Sequence, residues 1–395
     1  MTRPLTEDQR LLQDSARDFF SERAPVKALR AERDAGRPFD PELWREIAEL
    51  GFAGAAVPEQ SGGSGMGWRS IGLVLEAAGR TLVASPLTQT GLVGVAAIRT
   101  LGSEAQRERL LPLLAAGTAT TALAFDEGAH HAPTGIAMRA VRDGDGWRLD
   151  GHKRFVPDGA TASHILVAAL AAPTPGAAES LALFVVDATA SGVARRPLAM
   201  ADSRGMADIE LTGVRVADDM RLSGRTDPGS TMTDAGAAGL ERVLDIARIG
   251  LAAEMLGAAD ALFTLTLAYL KDRRQFGQPI GSFQALQHRA ARMLVDLELT
   301  RSCVTAALDA LDDAEGGDKA ATAAAAQIPA LASLAKARAG DTLHLVSNEA
   351  VQLHGGIGMT DAFDAGLYLK RARVLETLYG SAGWHRDRSA RLEGY

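Results

Sequence analysis

Apolar positions recur at helical spacing at both ends of the chain and cluster between them in short β-prone runs. Residues 1–118 read as an α-helical domain. Leu11, Leu12, Ala16, Phe19 and Phe20 make one apolar helix stripe. Thr6 and Gln9 ahead of it have the capping-box pattern, in which each side chain bonds the other residue's backbone N–H. Asp40 before Pro41 predicts a helix start, since Asp caps free amides and proline has no N–H to leave unpaired; Gly51 predicts the stop. Residues 58–65 read as a glycine-rich loop, and helical patterns resume over residues 68–82 and 90–116.

Residues 121–125, 147–149, 165–168, 181–186 and 208–216 are β-prone. Turn residues such as Asp143-Gly144-Asp145-Gly146 and Pro173-Thr174-Pro175-Gly176 separate them. This spacing predicts a small antiparallel barrel or sandwich over residues 119–222. Residues 223–236 have a linker's composition. A helical run follows over 237–274, roughly 55 Å long at ~1.5 Å per residue. Two more cover 283–311 and 319–353, with Glu315-Gly316-Gly317-Asp318 as the turn between them, and a last helix lies near 366–378. Residues 223–395 therefore read as an antiparallel α-helical bundle, and the fold class is α+β.

Composition narrows the function classes. The chain has 395 residues, enough for two or three domains. A net charge of −7 argues against a nucleic-acid surface, which needs a basic face. No uncharged apolar run reaches the length of a membrane span, and the N-terminus lacks a secretory apolar segment. Cys303 is the only cysteine, so no intrachain disulfide forms, and a cytoplasmic location is expected. His and Cys lack metal-site spacing, so no metal is expected.

Two late segments carry chemistry. One is Arg273-Arg274-Gln275-Phe276-Gly277-Gln278-Pro279-Ile280, followed by Phe283-Gln284; the other is Gln352-Leu353-His354-Gly355-Gly356-Ile357-Gly358. Each sets cationic or amide donors beside glycines at a helix end, where a backbone can approach an anionic phosphate. The plainer reading is a cationic helix terminus for Arg273, a helix cap for Gly355-Gly356, and core filling for Phe276, His354 and Cys303.

These segments resemble the flavin-binding signatures of the acyl-CoA dehydrogenase family. The likeness extends along the chain: Pro58-Glu59 with Gly62-Gly63, Gly102-Ser103-Glu104-Ala105-Gln106 through Gly117, and Gly151-His152-Lys153 with Phe155 each match a family stretch. The resemblance implies N-terminal helices, a middle β domain and a C-terminal four-helix bundle. It implies FAD as cofactor, its ring on one subunit and its adenine–pyrophosphate half held by a neighbour. Arg273, Gln275, Phe276, Gln284, Gln352, Gly355 and Gly356 are the implied cofactor-binding residues. The implied substrate is an acyl-CoA thioester, with Asp245 and Arg248 at its thioester or CoA end. Those two residues also have the spacing of a simple i,i+3 ion pair.

The family oxidises the α and β carbons of the thioester, with a glutamate removing the α proton. Of its two positions for that glutamate, this chain has Ala247 at one and Tyr379 at the other. Alanine accepts no proton, and a phenol of reference pKa ~10 is a poor base near neutrality. Glu241 and Glu376 stand nearby in sequence as candidate relocated bases, or as ordinary helix residues. On the flavin-ring side, Phe155-Val156-Pro157 and Asp126-Glu127-Gly128 depart from the family pattern, which has a hydroxyl after the aromatic and Thr-Glu-Pro at the second site. The expectation is therefore an oligomer, homomeric or with another acyl-CoA dehydrogenase-like chain. In it this chain is the subunit without the base, and the residues do not name the electron acceptor. The alternatives are a self-sufficient flavoenzyme with a relocated base or a related thioester reaction, and a flavin-free binding or scaffold homologue.

Overall fold

The computed structural model describes residues 3–172, 178–223 and 232–395. In chain order come α1 (Glu7–Arg23), α2 (Val26–Asp34), α3 (Pro41–Glu49), α4 (Gly67–Arg80), α5 (Val95–Leu101) and α6 (Glu104–Ala115). Strands follow: β1 (Thr121–Ala124), β2 (Arg139–Asp143), β3 (Gly146–Val156), β4 (His164–Ala171), β5 (Ser180–Asp187), β6 (Val193–Pro197), β7 (Ala207–Ala217) and β8 (Arg221–Leu222). Helix α7 (Met232–Asp272) leads into a hairpin of β9 (Arg274–Gln275) and β10 (Gln278–Pro279). Helices α8 (Gln284–Asp313), α9 (Lys319–His354), α10 (Ala365–Thr377) and α11 (Ala382–Leu392) complete the chain. This is the expected α+β order of helices, β domain and helical bundle. The turn expected at 173–176 lies outside the described residues. So does most of the linker expected at 223–236, although α7 begins within it, at Met232.

The chain packs as two compact units. One holds α1, α2, α4, the part of α7 from Arg248 onward, and α8 to α11. The Thr6–Gln9 capping box starts α1, with both of its reciprocal bonds present. Helix α4 is capped from outside: the N–H groups of Trp68 and Arg69 donate to the Asp312 carboxylate on α8 at 2.6 and 3.2 Å. Farther along, α4 crosses α7 at two glycines. A Cβ on Gly79 would fall 2.1 Å from the Glu254 carbonyl, and one on Gly257 would fall 1.9 Å from the Glu76 carbonyl. The two backbones therefore touch, and only hydrogen side chains fit. Gly257→Ala should lower stability by about 1–3 kcal/mol or more through overpacking, read by thermal unfolding. Gly366→Ala on α10, with nothing within 4 Å of the added carbon, should be neutral or mildly stabilising.

The apolar length of α7 revises one expectation. Over Ala235–Asp272 the helix is long and apolar enough to cross a membrane, with a best-window mean hydropathy of 1.4, yet 67% of that window is buried in the protein. Two of its acids are matched: Glu254 pairs with Arg371 at 2.7 Å, and Asp260 pairs with Arg80 and Arg301. It has the burial of a core helix.

The other unit holds α3, α5, α6, the β domain and α7 up to Ala247. The helical run expected over 90–116 is interrupted. A π-helical stretch spans Thr88–Gly94 before α5, and Gly102 breaks the chain before Ser103 caps α6. The eight-stranded sheet runs β6-β7-β3-β2-β4-β5-β8, with β1 also on β4. It is not wholly antiparallel, because β1 and β2 pair parallel to β4. They occupy successive stretches of one β4 edge, β1 beside His164–Val167 and β2 beside Leu170 and Ala171. Trp147, Leu149, Ile165, Phe184, Ile209 and Val214 fill the core, and the Trp147 and Phe184 rings meet edge-to-face at 5.6 Å. Strand β6, unmarked in the sequence pattern, is a sheet edge that carries Arg195, Arg196 and Pro197, residues that suit an unpaired edge.

Candidate functional site

Helix α7 stops two residues earlier than its apolar pattern predicts. The Arg273 N–H still donates to the Tyr269 carbonyl at 2.8 Å, but the next residues turn into the β9–β10 hairpin. Its two central residues, Phe276 and Gly277, have φ of 53° and 79°. Positive φ at both is the requirement of a type I′ turn, which glycine meets freely and phenylalanine does not. Phe276 is 86% exposed and touches Phe283 edge-to-face at 5.9 Å. Gln284 follows as the first residue of α8, where free N–H groups favour an anion.

The second segment ends α9. Gly355 takes φ 64° and closes the helix. His354 is buried between the rings of Tyr269 at 4.4 Å and Phe363 at 4.5 Å, and the Tyr269 hydroxyl donates to the His354 carbonyl at 3.3 Å. The two segments, far apart in sequence, are thereby joined through one aromatic stack. His354 is a packing residue: its Nδ1 donates to the Ala350 carbonyl at 2.7 Å, and burial holds its pKa below the ordinary value.

Arg273, Gln275, Gln284 and Gln352 are all exposed, and among the described residues their side chains have no hydrogen-bond or ion-pair partner. The space over Gly355 and Gly356 is open, with no atom within 4 Å of an added Cβ. A guanidinium, three amides and an open glycine backbone form a donor set that fits a pyrophosphate and its adenosine. The same exposure means this surface alone does not enclose a cofactor.

The base positions lie inside the protein. Ala247, Arg248 and Asp245 on α7 are buried, and Glu241, a turn earlier, is half-buried. Tyr379 is buried in the turn between α10 and α11, with φ 56°, followed by Gly380 at 109°. Arg248 donates through Nε to the Tyr379 carbonyl at 3.3 Å and lies over the Trp384 ring at 4.8 Å. Lys336, from α9, donates to the carbonyls of Leu375, Glu376 and Gly380 at 2.9, 3.4 and 3.0 Å. Burial, then the nearby Arg248 charge, pulls the Lys336 pKa down to about 7 against the pull of Glu376. The Glu376 carboxylate itself is committed to Arg373 at 2.8 Å and to His344 at 3.2 Å. Arg248 and the Tyr379 turn thus come together, while the Glu376 carboxylate is engaged in a partly exposed ion-pair cluster.

The β domain, taken by itself, carries a second buried lysine with a carboxylate partner. Lys153, fully buried on β3, donates to Glu127 at 2.6 Å and to the Phe125 carbonyl at 3.2 Å. Glu127 also accepts from the N–H groups of Ala137 and Met138, each at 3.0 Å. Burial takes the Lys153 ammonium below its ordinary pKa despite Glu127. Burial pushes Glu127 up, but Lys153 and the two amides hold it below the usual carboxylate range. This pair ties the Asp126-Glu127-Gly128 loop to the strand that ends in Phe155, and the Arg154 N–H donates to the Asp126 carbonyl at 2.8 Å. Phe155 itself sits where the β3–β7 register shifts, with φ 50°. Lys153→Met should cost about 1–3 kcal/mol by leaving a half-buried carboxylate with only its two amide donors, as read by urea unfolding. Because the folded pKa of Glu127 is lowered, its stabilisation is present above the unfolded value of ~4.3 and is lost as pH falls through the folded one. Unfolding of Glu127→Gln and of the wild type should therefore differ most at neutral pH and converge in acid.

Three features here went unmarked in the sequence. Lys336 stands on the apolar stripe of α9 with Ile328, Ala332, Ala339 and Leu343, and a lone lysine on such a stripe was a readable signal. The Lys153–Glu127 pair is non-local, and no spacing announces it. Trp384 lies on α11, whose sparse apolar residues give no helical period.

Family models for the acyl-CoA dehydrogenase N-terminal, middle and C-terminal domains match residues 6–118, 123–218 and 234–392. The chain belongs to the acyl-CoA dehydrogenase family, whose members are FAD-dependent oxidoreductases. A curated relative, 3-sulfinopropanoyl-CoA desulfinase of Paraburkholderia xenovorans (strain LB400), is 31% identical over 382 residues, covering 96% of this chain and 94% of that protein. Among solved structures, a variant of the Tcur3481–Tcur3483 steroid ACAD matches with TM-score 0.82 and 32% identity over 98% of both chains. The ChsE4–ChsE5 complex from Mycobacterium tuberculosis matches with TM-score 0.85 and 26% identity over 100% of both.

Proposed function

We propose that this chain is the subunit without the base in a two-chain acyl-CoA dehydrogenase, one that oxidises the α and β carbons of an acyl-CoA thioester. The observation that carries the proposal is a contrast within one chain. The FAD-type donor set of Arg273, Gln275, Gln284 and Gln352 is intact, exposed and unpartnered among the described residues, whereas the base positions hold buried Ala247 and Tyr379. When bound, FAD supplies the hydride acceptor. Arg273 and the three amides would hold its pyrophosphate and adenosine side, with Gly355 and Gly356 leaving room for the approach and the exposed Phe276 beside them in the hairpin. Asp245 and Arg248 border the thioester. Removal of the α proton falls to a carboxylate of the partner chain. Two similar structures, the Tcur3481–Tcur3483 steroid ACAD and the ChsE4–ChsE5 complex, are each named for a pair of proteins, which supports a mixed assembly. The single Cys303 supports a reducing, cytoplasmic setting.

The test is co-expression with a homologue that carries the glutamate, followed by size-exclusion with mass measurement and an absorbance scan. A stable mixed oligomer with bound flavin and acyl-CoA oxidation is the expected result. A monomer that keeps stoichiometric FAD unaided would sink the proposal.

A second reading has its own support: the desulfinase relative is named for a reaction on an acyl-CoA that is not a dehydrogenation. On that reading the homomer binds FAD and converts a substituted acyl-CoA without consuming an electron acceptor. Product analysis of the chain purified alone separates the two. Absence of flavin from both preparations would leave a binding or scaffold role.

A further inference from the structure

We infer that Lys336 is a positioning residue: with Arg248 it clamps the backbone of the Tyr379 turn into one conformation and so shapes the wall that the turn offers to an acyl thioester. The thioester part rests on the functional reading given above; the clamp does not.

Helix α10 ends at Thr377, and the last carbonyls of a helix have no partner within it. Ordinarily water or a glycine cap meets that need. Here a lysine from the adjacent α9, 1% exposed, reaches in to Leu375 and Glu376 and also to Gly380 beyond the helix. An ammonium has three N–H donors, and three carbonyls receive them. The remaining carbonyl of the turn centre, that of Tyr379, takes the Arg248 Nε–H. Two buried basic side chains therefore converge on one short backbone segment, an arrangement that desolvation disfavours and a simple helix cap does not need.

The segment they hold is one that would not hold itself. Tyr379 and Gly380 both have positive φ, and a side chain tolerates the left-handed region only where its surroundings enforce it. A Cβ on Gly380 would fall 2.7 Å from the Trp384 ring and 2.9 Å from His385, so the backbone is also pressed against α11. Two N–H groups report on the turn directly: Leu378 donates to the Val374 carbonyl and Gly380 to that of Thr377, each at 3.2 Å.

Amide hydrogen exchange on the purified wild-type assembly gives the first test. The Leu378 and Gly380 amides should be protected to the level of α9 and α10. Exchange as fast as in an open loop overturns the clamp without any variant, so the test survives if a variant fails to accumulate. Lys336→Met should speed exchange of residues 376–384 by roughly tenfold to a hundredfold, while α1 and α4 are unaffected. Lys336→Arg, which keeps charge and donors, should restore much of it. Unchanged exchange in Lys336→Met overturns the inference. For the thioester, a panel of straight-chain and carboxylate-bearing acyl-CoAs is titrated and the tightest binder to the wild type serves as probe. Its affinity should fall roughly tenfold in Lys336→Met, with FAD retention unchanged. Faster exchange with unaltered acyl-CoA affinity leaves the clamp standing and removes the turn from the thioester site. If no acyl-CoA binds the wild type, the functional reading fails and exchange alone decides the clamp.

Discussion

Purified without a partner and supplied with FAD, the chain should oxidise acyl-CoA more slowly than a mixed assembly by roughly 10²–10⁴, the usual contribution of a general base. The reason lies at two side chains. Ala247 is fully buried and has no proton acceptor, and the Tyr379 turn contributes a phenol and backbone carbonyls that are already bonded to Lys336 and Arg248. An electron-acceptor assay reads the difference. Restoring a carboxylate should recover part of it. At position 247 a glutamate must find room among close-packed atoms, so Ala247→Glu carries an overpacking cost. Tyr379→Glu replaces a larger side chain by a smaller one and should be tolerated better. Robust turnover by the unmodified homomer, abolished by Glu241→Gln, would place the base there and end the partner-subunit reading. Loss on Glu376→Gln would have the same meaning, and would require that carboxylate to leave Arg373 and His344.

Arg273→Ala should weaken FAD retention tenfold to a hundredfold in the assembly to which the chain belongs, the equivalent of about 1.5–3 kcal/mol for a charge-assisted contact to phosphate. The neighbouring Arg274→Ala is the control, since that residue lies in strand β9. The guanidinium of Arg273 has no partner in the described residues, so its removal breaks nothing within the chain and the stability of the subunit should not move. That separation makes the measurement decisive. Flavin kept equally well by both variants through dilution and gel filtration would make Arg273 an ordinary surface residue.

Much of this was legible from the residues. Helices with caps and long apolar periods were placed closely: the Thr6–Gln9 box, the Asp40–Pro41 start, and α9 from Lys319 to the residue beside Gly355. Local chemistry dictates them, so local sequence reveals them. The parallel seating of β1 and β2 on β4 was not legible, because a β-prone run records its own propensity and not the direction of its partner. The stop of α7 at Asp272 was missed for a related reason. Arg273 and Arg274 are sound helix formers, and the hairpin that displaces them depends on Gly277 and on pairing with Gln278 and Pro279. In the candidate site the donor residues stood in recognisable order. The contacts of Lys336 with the Tyr379 turn and of Lys153 with Glu127 were not legible, because they link positions far apart in sequence.

The hairpin tip has a consequence for how such a chain evolves. Phe276 occupies a left-handed conformation that glycine or asparagine would adopt at lower cost, and its ring gains little from the water around it. A random search for a hardier lone subunit would replace it early. A search for a working assembly would keep it. If the hairpin serves a neighbouring chain as proposed, selection for shelf life and selection for quaternary function pull this one position in opposite directions, and a thermostability redesign of the isolated polypeptide works against the assembly.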